Sequence, residues 1–166
     1  MTKETYLKIT QPFREHPQMA KGLHIANKCI TLLMYASYPA LIVYLFFTRD
    51  DALIRAVLTP AISFVLLTLI RAKINRKRPY ETFMMPPVIA KDTNGNSFPS
   101  RHVFSACIIS MTFLLVSPWP YLGILLFVAT LFLAIIRVLS GVHYPSDVAA
   151  GLLFGICAGF IGYIIL

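Results

Sequence analysis

The sequence predicts an all-α integral membrane protein: a helical bundle of about five transmembrane helices preceded by an N-terminal interfacial helix. Two observations predict it. Of the 166 residues, 57% are hydrophobic and only 13% charged, far from the balance of soluble domains. The apolar residues also gather into runs near the roughly 20 residues that a helix needs to cross hydrocarbon. Helix is the expected form, because lipid offers no partner to unpaired backbone groups.

Residues 1–24 carry Lys3, Glu4, Lys8, Arg14, Glu15 and Lys21 and are too polar for a cleavable leader. Tyr6, Leu7, Ile9, Phe13 and Met19 give this segment an apolar side, so it reads as an interfacial helix or a tail. Pro12 and Pro17 are expected to break or bend it. Residues 25–166 read as one transmembrane domain, with spans near Cys29–Phe47, Ala52–Ile70, Val103–Val116, Tyr121–Leu139 and Val148–Leu166. Cys29, Cys107 and Cys157 fall inside spans, which suits packing rather than a disulfide framework or metal motif.

If the spans alternate across the membrane, the N-terminal segment, the connection 71–98 and the turn 140–146 share one face. The turns 48–51 and 117–120 take the other. The long connection contains Pro86-Pro87 and Asn94-Gly95-Asn96, both turn signals. Connections of this length are often substrate-binding elements. Gly151, Gly155, Gly159 and Gly162 form a small-residue stripe, expected to pack closely within the bundle or between subunits.

The net charge of +8 does not point to nucleic acid, since the basic residues cluster at helix ends rather than on one exposed domain face. An anionic lipid headgroup accounts for it, with the bilayer as the other partner; oligomeric state is left open. Thirteen of the fifteen Lys and Arg fall on the candidate-site face, leaving Arg49 and Arg55 opposite. The positive-inside rule then predicts a cytoplasmic site, in the plasma membrane of a bacterium.

Three clusters carry the chemistry, all on that face. Arg71-Ala-Lys-Ile-Asn-Arg-Lys-Arg78-Pro79 closes the second span with five basic residues in eight; such a run also flanks many ordinary membrane helices. Ser97-Phe-Pro-Ser100-Arg101-His102 opens the third span, with Ser97 as a candidate cap. Free amides in that first turn favour an anion, and a histidine there can protonate a leaving oxygen. Arg137 through Asp147 is the most telling segment. His143 and Asp147 lie four residues apart, so one helical face can hold both and the carboxylate can orient the ring. Arg137 offers a fork suited to phosphate. Intramembrane ionisable groups are costly and usually functional.

The ordered pattern Arg71-x6-Arg78-Pro79, Pro99-Ser-Arg-His102 and Arg137-x5-His143-x3-Asp147 resembles the signature of the type 2 phosphatidic acid phosphatase family. Vanadium haloperoxidases and bacterial acid phosphatases share that superfamily. The resemblance implies that His143 is a nucleophile forming a phosphohistidine, Asp147 its orienting carboxylate and His102 the acid and then base. Arg71, Arg78, Arg137 and the Ser100 hydroxyl would bind the phosphoryl oxygens. It further implies a metal-independent enzyme without cofactor, with a site facing away from the cytoplasm, opposite to the charge rule. Candidate substrates are undecaprenyl diphosphate, phosphatidylglycerophosphate and phosphatidic acid. Three positions depart from the pattern: Arg71 stands for lysine, Arg101 for glycine and Ile136 for serine. Arg101 thereby becomes a candidate for binding a second phosphate or the headgroup. The competing expectation is a non-catalytic lipid-binding or lipid-translocating protein, against which stands the intact set His102, His143 and Asp147.

Overall fold

The computed structural model describes residues 1–91 and 93–165, and among them every regular element is helical. Asp92 and Leu166, the latter ending the last expected span, lie outside the described residues. The order is α1 (Lys3–Glu15), α2 (Pro17–Phe47), α3 (Ala52–Ile74), the single turn α4 (Pro79–Thr82), α5 (Arg101–Leu115), α6 (Pro120–Leu139) and α7 (Pro145–Phe160). A π-helical turn, Ile161–Ile165, continues α7. α2, α3, α6 and α7 with its π turn are long and apolar enough to cross a membrane, so the protein is an integral membrane protein.

α5 is the shortest of the five long apolar helices and the most enclosed: Val103, Phe104 and each residue from Ala106 to Phe113 are buried. Its 15 residues rise only about 22 Å, short of the roughly 30 Å hydrocarbon layer. Wrapped by its neighbours, α5 has little lipid to match. On one side Ala106, Ile109 and Phe113 pack with Met34, Leu41 and Leu45 of α2 and Leu126 and Leu133 of α6. On the other, Phe104, Cys107, Ile108 and Met111 meet Leu67 of α3 and Tyr163 of the π turn. Buried hydroxyls join the helices: Thr112 Oγ1 lies 2.7 Å from Tyr163 Oη and Ser110 Oγ 3.1 Å from Thr130 Oγ1. Such bonds and small-residue contacts hold bundles together in lipid, where apolar burial gives little drive.

The glycine stripe works inside the bundle. Gly151, Gly155 and Gly159 lie against Ser100, Cys107 and Met111 of the α5 segment, and Gly162 against Thr59 of α3.

Four local expectations change. The expected N-terminal helix forms as α1, and Pro12 sits inside it instead of ending it. Pro17 is the first residue of α2, a position where its missing N–H costs nothing. α2 therefore starts a dozen residues before the apolar run at Cys29. The helix continues past its apolar stretch into a polar overhang that hydropathy does not register. Cys29 and Cys157 are exposed on their helices, so only Cys107 is the expected packing residue. Ser97 does not cap α5: the helix opens at Arg101, and the Ser97 hydroxyl bonds elsewhere.

Candidate active site

A cavity of about 400 Å³ opens where the C-terminal end of α3, the start of α5, Lys91, residues 93–96 and the turn before α7 converge. Arg71, Arg78, Arg101, His102 and His143 all line it, together with Lys91. The three sequence clusters thus meet at one end of the bundle.

The loop geometry follows from a few residues. Asn75 ends α3 in the left-handed conformation (φ 40°), and its side-chain carbonyl accepts a 3.2 Å bond from the Asn96 N–H. Gly95, at φ 62°, passes so close that a Cβ there would lie 2.3 Å from Asn75 Oδ1. Glycine is required by space as well as by backbone angle. The Gly95 N–H donates to Glu81 Oε1 at 2.7 Å.

Arg71 is buried and donates to the backbone carbonyls of Pro99 and Asn96. Arg78, also buried, donates through Nε to Gly95 O at 3.1 Å and through Nη1 to Val142 O at 3.2 Å. Its Nη1 also lies 3.5 Å from His143 Nε2. Burial, above all, lowers the pKa of Arg78 and of Lys91 below the ordinary values, and for Lys91 the surrounding arginines push the same way.

His143 sits in the turn Ser140–Tyr144 between α6 and α7, and Tyr144 caps α7. Its ring is 2% exposed. Burial, opposed by Asp147 and reinforced by Arg137 and Arg78, lowers its pKa to about 4, so the ring is neutral near pH 7. Nδ1 faces Asp147 Oδ2 at 3.5 Å, and Nε2 lies 3.5 Å from Nη1 of the cavity-lining Arg78.

Asp147, fully buried, is the third residue of α7, where a carboxylate also suits the helix dipole. Its Oδ2 accepts from Ser97 Oγ at 2.5 Å and from the Tyr144 N–H at 2.9 Å, while its Oδ1 pairs with Arg76 Nη1 at 2.8 Å. Its backbone carbonyl accepts from the Ser100 N–H at 2.8 Å, tying α5 to α7 beneath the cavity.

Arg137 and Ser100 are close by but are not among the cavity-lining residues. Both are buried. Arg137 Nη1 donates to Asn27 Oδ1 at 3.2 Å, whereas its Nε and Nη2 and the Ser100 hydroxyl have no protein partner. Buried donors of this kind are costly and rare unless something completes them. Arg101 is exposed at the rim, its guanidinium 5.8 Å over the Phe64 ring.

Two residues went unrecognised in the sequence. Lys91 carries no motif around it, and only the folded loop brings it to the cavity. Arg76 stood in the basic run, where nothing distinguished it from Lys73 or Lys77. No group of three or more His, Cys, Asp or Glu able to hold a metal occurs among the described residues.

The fold and the clustered motifs define a class, and residues 52–166 match the family model of the PAP2 superfamily. The chain belongs to this superfamily. Among its relatives, the bacitracin transport permease protein BcrC of Bacillus licheniformis is 31% identical over 152 residues, covering 87% of this chain and 73% of that protein. The lipid A 1-phosphatase of Rhizobium johnstonii is 33% identical over 102 residues. That match covers 58% of this chain and only 41% of the relative, so the chain spans about two fifths of the length of the lipid A 1-phosphatase it matches. Two crystal structures share the fold. Aquifex aeolicus LpxE superposes with a TM-score of 0.70 at 24% identity, covering 96% of this chain and 92% of that one. A transmembrane PAP2-type phosphatidylglycerolphosphate phosphatase from Bacillus subtilis gives 0.72 at 21%, covering 96% and 83%.

Proposed function

We propose that the protein is a membrane lipid phosphatase that hydrolyses a lipid phosphate or diphosphate through a phosphohistidine on His143. Two cavities with neighbouring linings on α3 and α5 carry this reading. The cationic one holds His102 and His143; an apolar groove of about 530 Å³ between α3 and α7 is lined by Leu58, Ile62, Leu66, Ile70, Phe104 and Phe154, with Ile70 next to Arg71 in α3 and Phe104 one helical turn after Arg101 in α5. A phosphorylated headgroup and a long apolar chain fit these two surfaces together.

In the first step Nε2 of neutral His143 attacks phosphorus, the bond from phosphorus to the lipid oxygen breaks, and His102, protonated once the anionic headgroup is bound beside it, donates a proton to that oxygen. In the second, His102 takes a proton from water, the resulting hydroxide attacks the phosphohistidine, and inorganic phosphate leaves with the imidazole restored. Arg71, Arg78 and Arg137, with Ser100, hold the phosphoryl oxygens, and Asp147 stabilises the cationic ring. Charge stabilisation and positioning supply most of the acceleration in phosphoryl transfer.

Undecaprenyl diphosphate, phosphatidylglycerophosphate and phosphatidic acid all fit this division. Phosphate release from the purified protein in detergent with EDTA, across these three lipids, tests the reading. Release that survives chelation and is lost in His143→Ala supports it. No release from any of them favours a lipid-binding or translocating role.

A bacterial plasma membrane suits this substrate class. Outside the site's own cations, Lys3, Lys8, Arg14, Lys21, Lys28, Lys73 and Lys77 oppose Arg49 and Arg55 on the other rim. This bias supports a cytoplasmic site, whereas the family resemblance supports an outward one. Labelling of a single cysteine at Glu4→Cys by a membrane-impermeant maleimide, in a cysteine-free background in intact cells, decides between them.

A further inference from the structure

The geometry points to Arg76 as a positioning residue that acts on His143 through Asp147. This inference rests on His143 being the nucleophile, and it gives a role to a residue outside the chemical motifs. A carboxylate turns easily about its last torsion, so Asp147 presents its edge to the imidazole most firmly when both of its oxygens are held. Arg76 holds one: Nη1 donates to Oδ1 at 2.8 Å and to Ser146 Oγ at 2.9 Å. The guanidinium lies 4.1 Å over the Tyr144 ring, and the Tyr144 hydroxyl is 3.0 Å from Thr82 Oγ1. The first turn of α7 thus clamps Arg76 from three directions, through Ser146, Asp147 and Tyr144. Meanwhile the Ser97 hydroxyl and the Tyr144 N–H fix Oδ2, the oxygen that faces His143 Nδ1.

Arg76 meets the carboxylate at Oδ1, whereas Oδ2 is the oxygen that faces His143, so Arg76 reaches the nucleophile only through Asp147. Its effect should therefore fall on turnover and on the tautomer of His143, not on substrate binding. With Oδ1 held, Oδ2 receives the Nδ1 proton and the lone pair stays on Nε2, the nucleophilic nitrogen. Substitutions behind a ligating or catalytic group commonly cost 10- to 100-fold.

Two measurements test this. Kinetics with undecaprenyl diphosphate and phosphatidic acid compare wild type, Arg76→Gln, Arg76→Lys, Asp147→Asn and the double variant Arg76→Gln/Asp147→Asn. Arg76→Gln should lower kcat by about 10- to 100-fold with KM within about twofold. Arg76→Lys should recover part of it, and the double variant should be no slower than Asp147→Asn alone. A rise in KM with unchanged kcat, or full additivity in the double variant, overturns the proposal. The second measurement is ¹⁵N NMR of the imidazoles near pH 7, which needs no turnover. Wild type and Arg76→Lys should hold His143 with its proton on Nδ1, and Arg76→Gln should mix the tautomers. An identical tautomer ratio in wild type and Arg76→Gln overturns the proposal. Turnover that persists in His143→Ala instead defeats the nucleophile assignment on which it rests.

Discussion

His143 Nδ1 and Asp147 Oδ2 face each other at 3.5 Å across the first turn of α7, with both side chains buried. The separation is at the outer edge of a hydrogen bond, and Oδ2 already accepts from Ser97 and Tyr144. The carboxylate is therefore placed before the ring needs it, and the pair can tighten as the imidazole gains positive charge on attack. Catalytic hydrogen bonds are often long in the free enzyme.

The burial of His143 sets its titration. Its pKa is pushed down to about 4, against about 6.5 in an unfolded chain. The folded protein therefore binds fewer protons than the unfolded one between those values, and this residue's contribution to stability is lost as pH falls from about 6.5 towards 4. NMR titration in detergent should show one imidazole, absent from His143→Gln, that remains neutral down to about pH 4. A midpoint near 6.5 would contradict the burial argument.

His102 should matter most when the leaving oxygen is a poor one. His102→Ala is expected to lose about 10²- to 10⁴-fold toward an alkyl phosphate and much less toward p-nitrophenyl phosphate, whose phenolate needs little protonation. Equal losses on both would argue against the acid role.

Arg101 occupies the cavity rim, and its charge is available to a second phosphate. Arg101→Gly should lower the ratio of diphosphate to monophosphate turnover by roughly tenfold, the scale of one charge-assisted contact. An unchanged ratio would exclude Arg101 as a determinant of that preference.

The α5–α7 contact under the site is sterically closed. A Cβ at Gly151 would lie 2.7 Å from the Ser100 carbonyl oxygen, a backbone atom with little room to move. Gly151→Val should cost about 1–3 kcal/mol by overpacking and lower Tm in detergent, whereas Gly22→Ala, with nothing within 4 Å, should not. Equal Tm values for the two variants would show that the stripe is not a packing contact.

Much of this architecture could be read from the chain. The long apolar runs located the spans, and Arg71, Arg78, Arg101, His102 and His143 reached one cavity because their spacing puts each at a helix end on the same face. What could not be read depends on loop geometry. Lys91 lines the cavity beside residues 93–96, where Glu81 holds the Gly95 N–H and Asn75 the Asn96 N–H, contacts with no periodicity to reveal them. Ser97 looked like a cap because of its place before Pro99; in the fold its hydroxyl bonds Asp147, fifty residues away. Arg76 was indistinguishable from its basic neighbours, because its role lies in one ion pair across the site. The start of α2 at Pro17 escaped hydropathy for a different reason: its first turns are polar although helical.

Covalent phosphorylation of His143 can be seen by trapping. Undecaprenyl diphosphate labelled with ³²P at its terminal phosphate would be mixed with the enzyme and quenched in alkali within milliseconds. The expected product is a labelled protein, stable in base and labile in acid as a phosphohistidine is, that is absent from His143→Ala and accumulates in His102→Ala when the substrate has a good leaving group. Phosphate release at the wild-type rate by His143→Ala, or label retained elsewhere in that variant, would contradict it.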